Sequence, residues 1–342
     1  MAGCTRSANP HTTASTSLES RVESIMATDI VVSAPADDID QAAQIVFDSF
    51  RRIDTEMSEW KPGSPISEVN RQAGIEPVTV PLELLFLTSR AIEINSLTDS
   101  TFACSWAALW GLWDFKADPP ALPDPAEVAG RLPLVDDSNV IVDSNTQTIF
   151  LTEKGMAMGL GGIAKGYALE KSAEALRNAD MKTFLLSAGG QILASGRKAD
   201  GSNWKVGIRD PRGASPSDYF AVLELTASAM TANHWMSVST SGDYERYFII
   251  DDTRYHHILD PTTGYPADGR GDPVRSATVL SYDPVLADAL STSLVVLGAT
   301  RALDLIESID QTEAILVDGQ GHVRMTSGIS DAVFHIVHAP TP

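Results

Sequence analysis

At 342 residues, with 43% hydrophobic and 20% charged side chains, the chain has the make-up of a globular protein with ample core. No apolar run reaches the ~18 residues of a membrane-spanning helix, and a formal charge of −20 disfavours nucleic acid and anionic lipid as partners. An anionic ligand would have to be met by a metal ion or by local cationic groups.

The N-terminus reads as a tail. Cys4 follows Met-Ala-Gly and precedes a Ser/Thr/Asn/Pro tract, the pattern of a bacterial lipoprotein cleavage box and tether. A chance Ala-Gly-Cys after the initiator explains it equally. Residues 1–20 are expected to be a flexible tether and 21–342 one folded unit, with two subdomains as the variant. Cys104, in STFACSWAALWGLW, reads as a small core residue.

VESIMATDIVVSA reads as a strand running to Ala34, followed by a helix over 37–52 with Ala42, Ile45, Val46 and Phe50 on one face. A short helix is expected within 62–74 and another over 81–96; a Pro/Asp-rich connection then leads to a hairpin in NVIVDSNTQTIFLTEKG. A helix over 164–178 and strands at 182–187 and 192–195 flank the turn AGGQ. Further strands are WKVGIRDP, YFAVLELTASAMT, RYFIIDD running into RYHHILDP, and SATVLSY. Asp283 as N-cap and Pro284 at the first position open a helix to Leu297. The tail reads as a helix over 301–309 and the strands EAILVD and FHIVHA. Interspersed strands and helices without a regular βαβ repeat predict an α/β to α+β architecture, mixed sheets with packed helices.

GLGGIAKGYALEK satisfies G-x-G-x-x-G/A through Gly159, Gly161 and Ala164, but the Rossmann reading fails. The next strand ends in Ser187 and Ala188, with no acidic residue to meet a ribose. A P-loop fails too, because it needs Gly-Lys-Ser/Thr, and Lys165-Gly166-Tyr167 cannot supply the metal-binding hydroxyl. What remains is a glycine-rich helix entry with Lys165 in its first turn, suited to an anion or to close packing. In RYHHILDPTTGYP, His256 and His257 alternate in a strand, so at most one points into a given site. His257 with Asp260 reads as a base and its orienter, or as a structural turn. In DPVLADALSTSLVVLG, Asp288, Ser291 and Thr292 share a helix face: hard oxygen ligands of the kind Mg²⁺ accepts, or an ordinary polar edge. VSTSGDYERYF reads as a polar Ser-Gly turn opening into an aromatic strand.

Taken in order, IMAT, RIDTEMSEW, SEVN, TDSTFACSW, LGGIAKGYALEK, SAGGQILASG, TSGDYERYF, HHILDPTTGYP and ADALSTSLVVLG resemble the FAD:protein FMN transferases, from about Ser24 to Ile329. The resemblance implies a flavin-transferase architecture and Mg²⁺-dependent transfer of FMN from FAD to a Ser or Thr hydroxyl, releasing AMP. It also implies an exported flavin-acceptor redox protein as partner, and an exported, periplasmic or cell-surface location with a lipid on Cys4. Carried over residue by residue, Met26, Trp60, Thr101, Phe102, Lys165 and Ile258 would contact the flavin nucleotide. Gly162 through its carbonyl, Asp288, Thr292 and Ser291 would hold the metal, and His257 would be the base. Three of the family's carboxylates are replaced, at Ala103, Gly159 and Gln191. An FAD pyrophosphatase, or a non-catalytic flavin-binding or flavoprotein-assembly factor, are the alternatives.

Overall fold

The segment from Val22 to Ala34, expected as one strand, is a hairpin. In the computed structural model, which describes residues 17–225 and 236–341, β1 (Leu18–Ile25) and β2 (Thr28–Pro35) pair around Met26 and Ala27. Both turn residues have positive φ, at 54° and 57°, the geometry of a two-residue hairpin turn. Alternation alone cannot show that turn, because neither residue is the Gly or Asn that normally marks it. Cys4 and most of the 1–20 tether lie outside the described residues, as does the 226–235 segment that includes the end of YFAVLELTASAMT.

The chain continues with α1 (Ile39–Met57), α2 (Pro65–Arg71), β3 (Val78–Thr79), α3 (Leu82–Leu97), α4 (Pro125–Arg131), β4 (Val140–Asp143), β5 (Thr148–Leu151) and α5 (Ala164–Asn178). Next come β6 (Phe184–Ala188), β7 (Gln191–Ser195), β8 (Trp204–Arg209), β9 (Tyr219–Leu225), β10 (Met236–Gly242), β11 (Tyr247–Ile250) and β12 (Thr253–His256). The last are β13 (Val274–Ser281), α6 (Pro284–Leu297), α7 (Ala299–Glu307), β14 (Thr312–Asp318), β15 (Val323–Met325) and β16 (Phe334–Ile336). The start of α6 follows the cap chemistry: Asp283 accepts from Leu286 N at 2.9 Å, and Pro284 fills the first turn.

An eight-stranded sheet, in the order β1-β2-β6-β7-β10-β13-β14-β15, organises the fold. Its pairings are all antiparallel, so the described residues contain no Rossmann-type parallel unit. Helices cover one face. Phe50, Ile53, Leu84, Leu87, Tyr167 and Leu169 share one core with Ile30 and Leu186, while Leu290, Leu294 and Ile306 pack on Ala277 and Leu316. Sheet β16-β9-β8 covers the other face through Phe220, Leu223 and Ile208, against Val238, Leu280 and Ile315.

VSTSG is the largest departure from the sequence expectation. It is not a turn but the body of β10, paired with β7 on one side and β13 on the other. Ser237 and Ser239 are fully buried there. Serine-rich segments read as loops because the hydroxyl competes for backbone hydrogen bonds; two flanking strands remove that competition.

Candidate active site

At one end of the sheet the β1–β2 turn lies beside the β6–β7 turn, where a Cβ on Gly189 would meet Thr28 Oγ1 at 3.0 Å. Helices α5 and α6 meet at this end. Gly166 makes that meeting possible, since a Cβ there would stand 2.2 Å from Pro284 O. Its amide, in the first turn of α5, donates to Asp288 Oδ2 at 2.8 Å. The helix entry does bind an anion, and that anion is the protein's own carboxylate.

Asp288 is 1% exposed. Gln191 Nε2 donates to its Oδ1 at 2.7 Å, and Lys165 Nζ lies 3.9 Å from the same oxygen. Burial pushes its pKa up, while Lys165 and the two N–H donors act in the opposite direction. Lys165 Nζ also donates to Gly161 O at 3.0 Å. One helical turn on, Ser291 Oγ hydrogen-bonds Asp288 O at 2.9 Å. Ser241 at the end of β10 joins both hydroxyls, at 2.8 Å from Ser291 Oγ and 3.2 Å from Thr292 Oγ1. Asp288, Ser291 and Thr292 are therefore one hydrogen-bonded group closed by Ser241. Sequence reasoning passed over Ser241, although its period-2 spacing with Ser237 and Ser239 was the available signal.

Among the described residues no three His, Cys, Asp or Glu side chains come together to hold a metal. One carboxylate with hydroxyl and carbonyl oxygens is nevertheless a donor set suited to Mg²⁺, which keeps waters and takes further oxygens from a phosphate. Two more oxygens nearby, Gln191 Oε1 and its cross-strand neighbour Ser239 Oγ, are buried without a hydrogen-bond partner. The residues present fit the ion.

The glycine loop is clamped from several sides. Asn70 of the SEVN segment exchanges two hydrogen bonds with the Met158 backbone, at 2.8 and 2.9 Å. Trp106 Nε1 donates to Gly159 O at 3.1 Å, and a Cβ on Gly162 would meet the Phe102 ring at 3.1 Å. Thr101 is buried, its hydroxyl bonded to Thr98 O, and Met26 packs on the main core from the hairpin tip. Trp60 is 55% exposed and meets Trp110 edge-on with centroids 4.2 Å apart.

The two histidines part as strand alternation requires. His256 bridges Ala267 O through Nε2, at 2.9 Å, and the Ile258 amide through Nδ1, at 3.3 Å. It lines a cavity of about 400 Å³ with Arg212, Arg254 and Arg275. His257 is pushed down to about 3, first by burial and then by the charges of Arg246, His256 and Lys165; its Nδ1 is buried without a partner. It is therefore neutral at neutral pH. The expected pairing with Asp260 is not formed: Asp260 Oδ1 accepts from the Thr262 amide and hydroxyl, and Oδ2 faces Arg270 Nε at 3.5 Å. A short acidic side chain two residues before a Thr closes its own turn more readily than it reaches back across a strand. Ile258, 5% exposed, packs into the α6 core.

Two of the three replaced carboxylates have others close at hand. Ala103 caps the 3₁₀ turn Cys104–Leu109 without a side-chain bond. Asp137, from a distant segment, accepts from the Cys104 and Ser105 amides, both at 2.9 Å. Both residues line a cavity of about 240 Å³ with Asn95, Ser100 and Pro261. Beside Gly159 stands buried Glu59, whose Oε1 is 3.0 Å from where a Gly159 Cβ would be.

Fold and site together define an α+β protein with a single buried carboxylate among hydroxyls and a lysine at a helix entry. Residues 25–316 match the ApbE family, and the chain belongs to it. It is 32% identical over 285 residues to the FAD:protein FMN transferase of Klebsiella pneumoniae, covering 83% of this chain and 84% of that one. It is also 32% identical over 312 residues to the protein of that name from Treponema pallidum, covering 87% and 83%. Among solved structures, the ApbE protein of Thermotoga maritima superposes with a TM-score of 0.78 at 28% identity, over 91% of this chain and 97% of that one. The flavinyl transferase ApbE of Pseudomonas stutzeri does so at 0.75 and 25% identity, over 91% and 95%.

Proposed function

We propose that this chain transfers the FMN half of FAD to a Ser or Thr hydroxyl of a protein acceptor, with Mg²⁺ required and AMP released. The observation that carries this reading is the Asp288–Ser241–Ser291–Thr292 oxygen cluster with Lys165 at its edge, in a chain whose relatives bear the name FAD:protein FMN transferase. Asp288, Ser291, Thr292 and the Gly162 carbonyl would hold the metal, and the ion would supply positive charge to offset that of the phosphates.

The chain's own groups supply the rest. The acceptor hydroxyl oxygen bonds to the phosphorus of the FMN half, the bridging P–O bond breaks, and AMP leaves carrying that oxygen. Lys165 stabilises the departing charge. Neutral His257 takes the hydroxyl proton, acting without an aspartate behind it. Trp60 offers an exposed apolar face to the flavin nucleotide, Phe102 backs the glycine loop at Gly162, and the Gln191 amide keeps Asp288 Oδ1 oriented. The Ala-Gly-Cys box supports an exported form anchored through Cys4 and an exported redox protein as acceptor; labelling of the full precursor with a fatty acid tests the anchor.

The test is incubation of the protein with FAD and Mg²⁺, with and without a flavin-acceptor domain. AMP together with covalent fluorescence on the acceptor supports the proposal. AMP alone indicates a pyrophosphatase, and bound FAD without AMP in either case overturns the enzymatic reading.

A further inference from the structure

Glu59 is a buried carboxylate to which the transfer chemistry gives no role. It lies just past the C-terminus of α1, 8% exposed, beside the half-exposed Trp60. Its Oε1 is 3.0 Å from the position a Cβ would take on Gly159 and 3.6 Å from that on Gly161. Burial pushes its pKa up, while the Lys165 charge acts in the opposite direction. A carboxylate kept out of water destabilises the fold unless something pairs with it.

The geometry makes this a slot with two entrances. Aspartate oxygens lie about 2.4 Å from their Cβ. A carboxylate carried on residue 159 would therefore crowd Glu59 Oε1 and Trp106 Nε1, which is 3.1 Å from the same Cβ position. Two ionised carboxylates cannot share that volume. We propose that Glu59 is the positioning residue that shapes the glycine loop for nucleotide binding, and that residue 159 is glycine because Glu59 already fills the slot its side chain would enter. The slot follows from the geometry alone; the nucleotide part rests on the flavin-transfer reading.

A double-mutant cycle tests both parts with Glu59→Ala, Gly159→Asp and the combined variant, reading FAD affinity and the thermal midpoint. Glu59→Ala is expected to weaken FAD binding about tenfold, and Gly159→Asp to weaken it and lower the midpoint. In the combined variant FAD affinity returns to within about threefold of wild type and the midpoint recovers, because one carboxylate again fills the slot. Glu59→Gln, which keeps the side-chain volume in the slot and loses the charge, falls between. Equal effects of Gly159→Asp in both backgrounds on the midpoint would overturn the shared slot. That readout needs no FAD, so it decides the slot even if wild type fails to bind FAD, which would instead sink the flavin-transfer reading. Unchanged FAD affinity in Glu59→Ala would overturn the positioning role.

Discussion

Gln191 donates its amide to Asp288 Oδ1 at 2.7 Å, across two elements nearly a hundred residues apart in sequence. A carboxylate at 191 would face Asp288 in a buried space, and an amide turns that repulsion into a hydrogen bond. The site thus carries one negative charge at this point, balanced by Lys165. Gln191→Asp is expected to destabilise the metal-free protein and to make its thermal midpoint rise more steeply with added Mg²⁺, which calorimetry at several Mg²⁺ concentrations would read.

Asp288→Asn keeps the side-chain volume and removes the charge. We expect AMP release to fall by about two to three orders of magnitude, the scale for losing a charge-stabilising group in a site. Wild-type turnover in this variant would overturn the proposal that Asp288 holds a metal.

Ser241→Ala takes away the hydroxyl shared by Ser291 and Thr292. An outer-shell partner of this kind is worth about 10- to 100-fold in metal affinity. The expected signature is a higher Mg²⁺ requirement with kcat largely kept at saturating metal, measured by titrating the rate with Mg²⁺.

His257 is held at about 3 against an unfolded value near 6.5. The folded chain binds fewer protons in that window, so the stability this group contributes is full above pH 6.5 and is lost as the pH falls toward 3. His257→Gln should flatten the acid limb of the stability curve, read as thermal midpoint against pH. In the same variant the flavin-transfer rate should fall about 10²- to 10⁴-fold with FAD binding unchanged.

Glu170 runs the other way. Burial first, then the Asp283 charge, raise it to about 7. The folded state therefore holds a proton that the unfolded chain releases, and the stability from this group is present below about pH 4.5 and lost as pH rises through 7. Glu170→Gln should raise the midpoint at pH 8 and leave it little changed at pH 4. A lower midpoint at pH 8 would contradict the assignment.

How much of this was legible beforehand depends on range. The bounds of α5 could be read from its local apolar spacing, and the start of α6 from its cap, Asp283 followed by Pro284. The hairpin at Met26 was hidden because its two positive-φ residues are not turn formers. Strand β10 was hidden because its serines look like loop until both neighbouring strands are in place. The link from Gln191 to Asp288 had no local signal at all.

By itself the sequence determined the family, the helix face carrying Asp288, Ser291 and Thr292, and the rule that only one of His256 and His257 could enter a given site. Those follow from periodicity and from motif order, which survive without coordinates. Tertiary structure alone decided what the groups meet. It set Asp288 against the α5 entry, turned Asp260 into its own loop, closed the hydroxyl cluster with Ser241 and brought Glu59 onto the glycine loop. The reason is that a buried charge takes its character from whatever lies within about 4–6 Å of it, and those neighbours come from segments far apart along the chain.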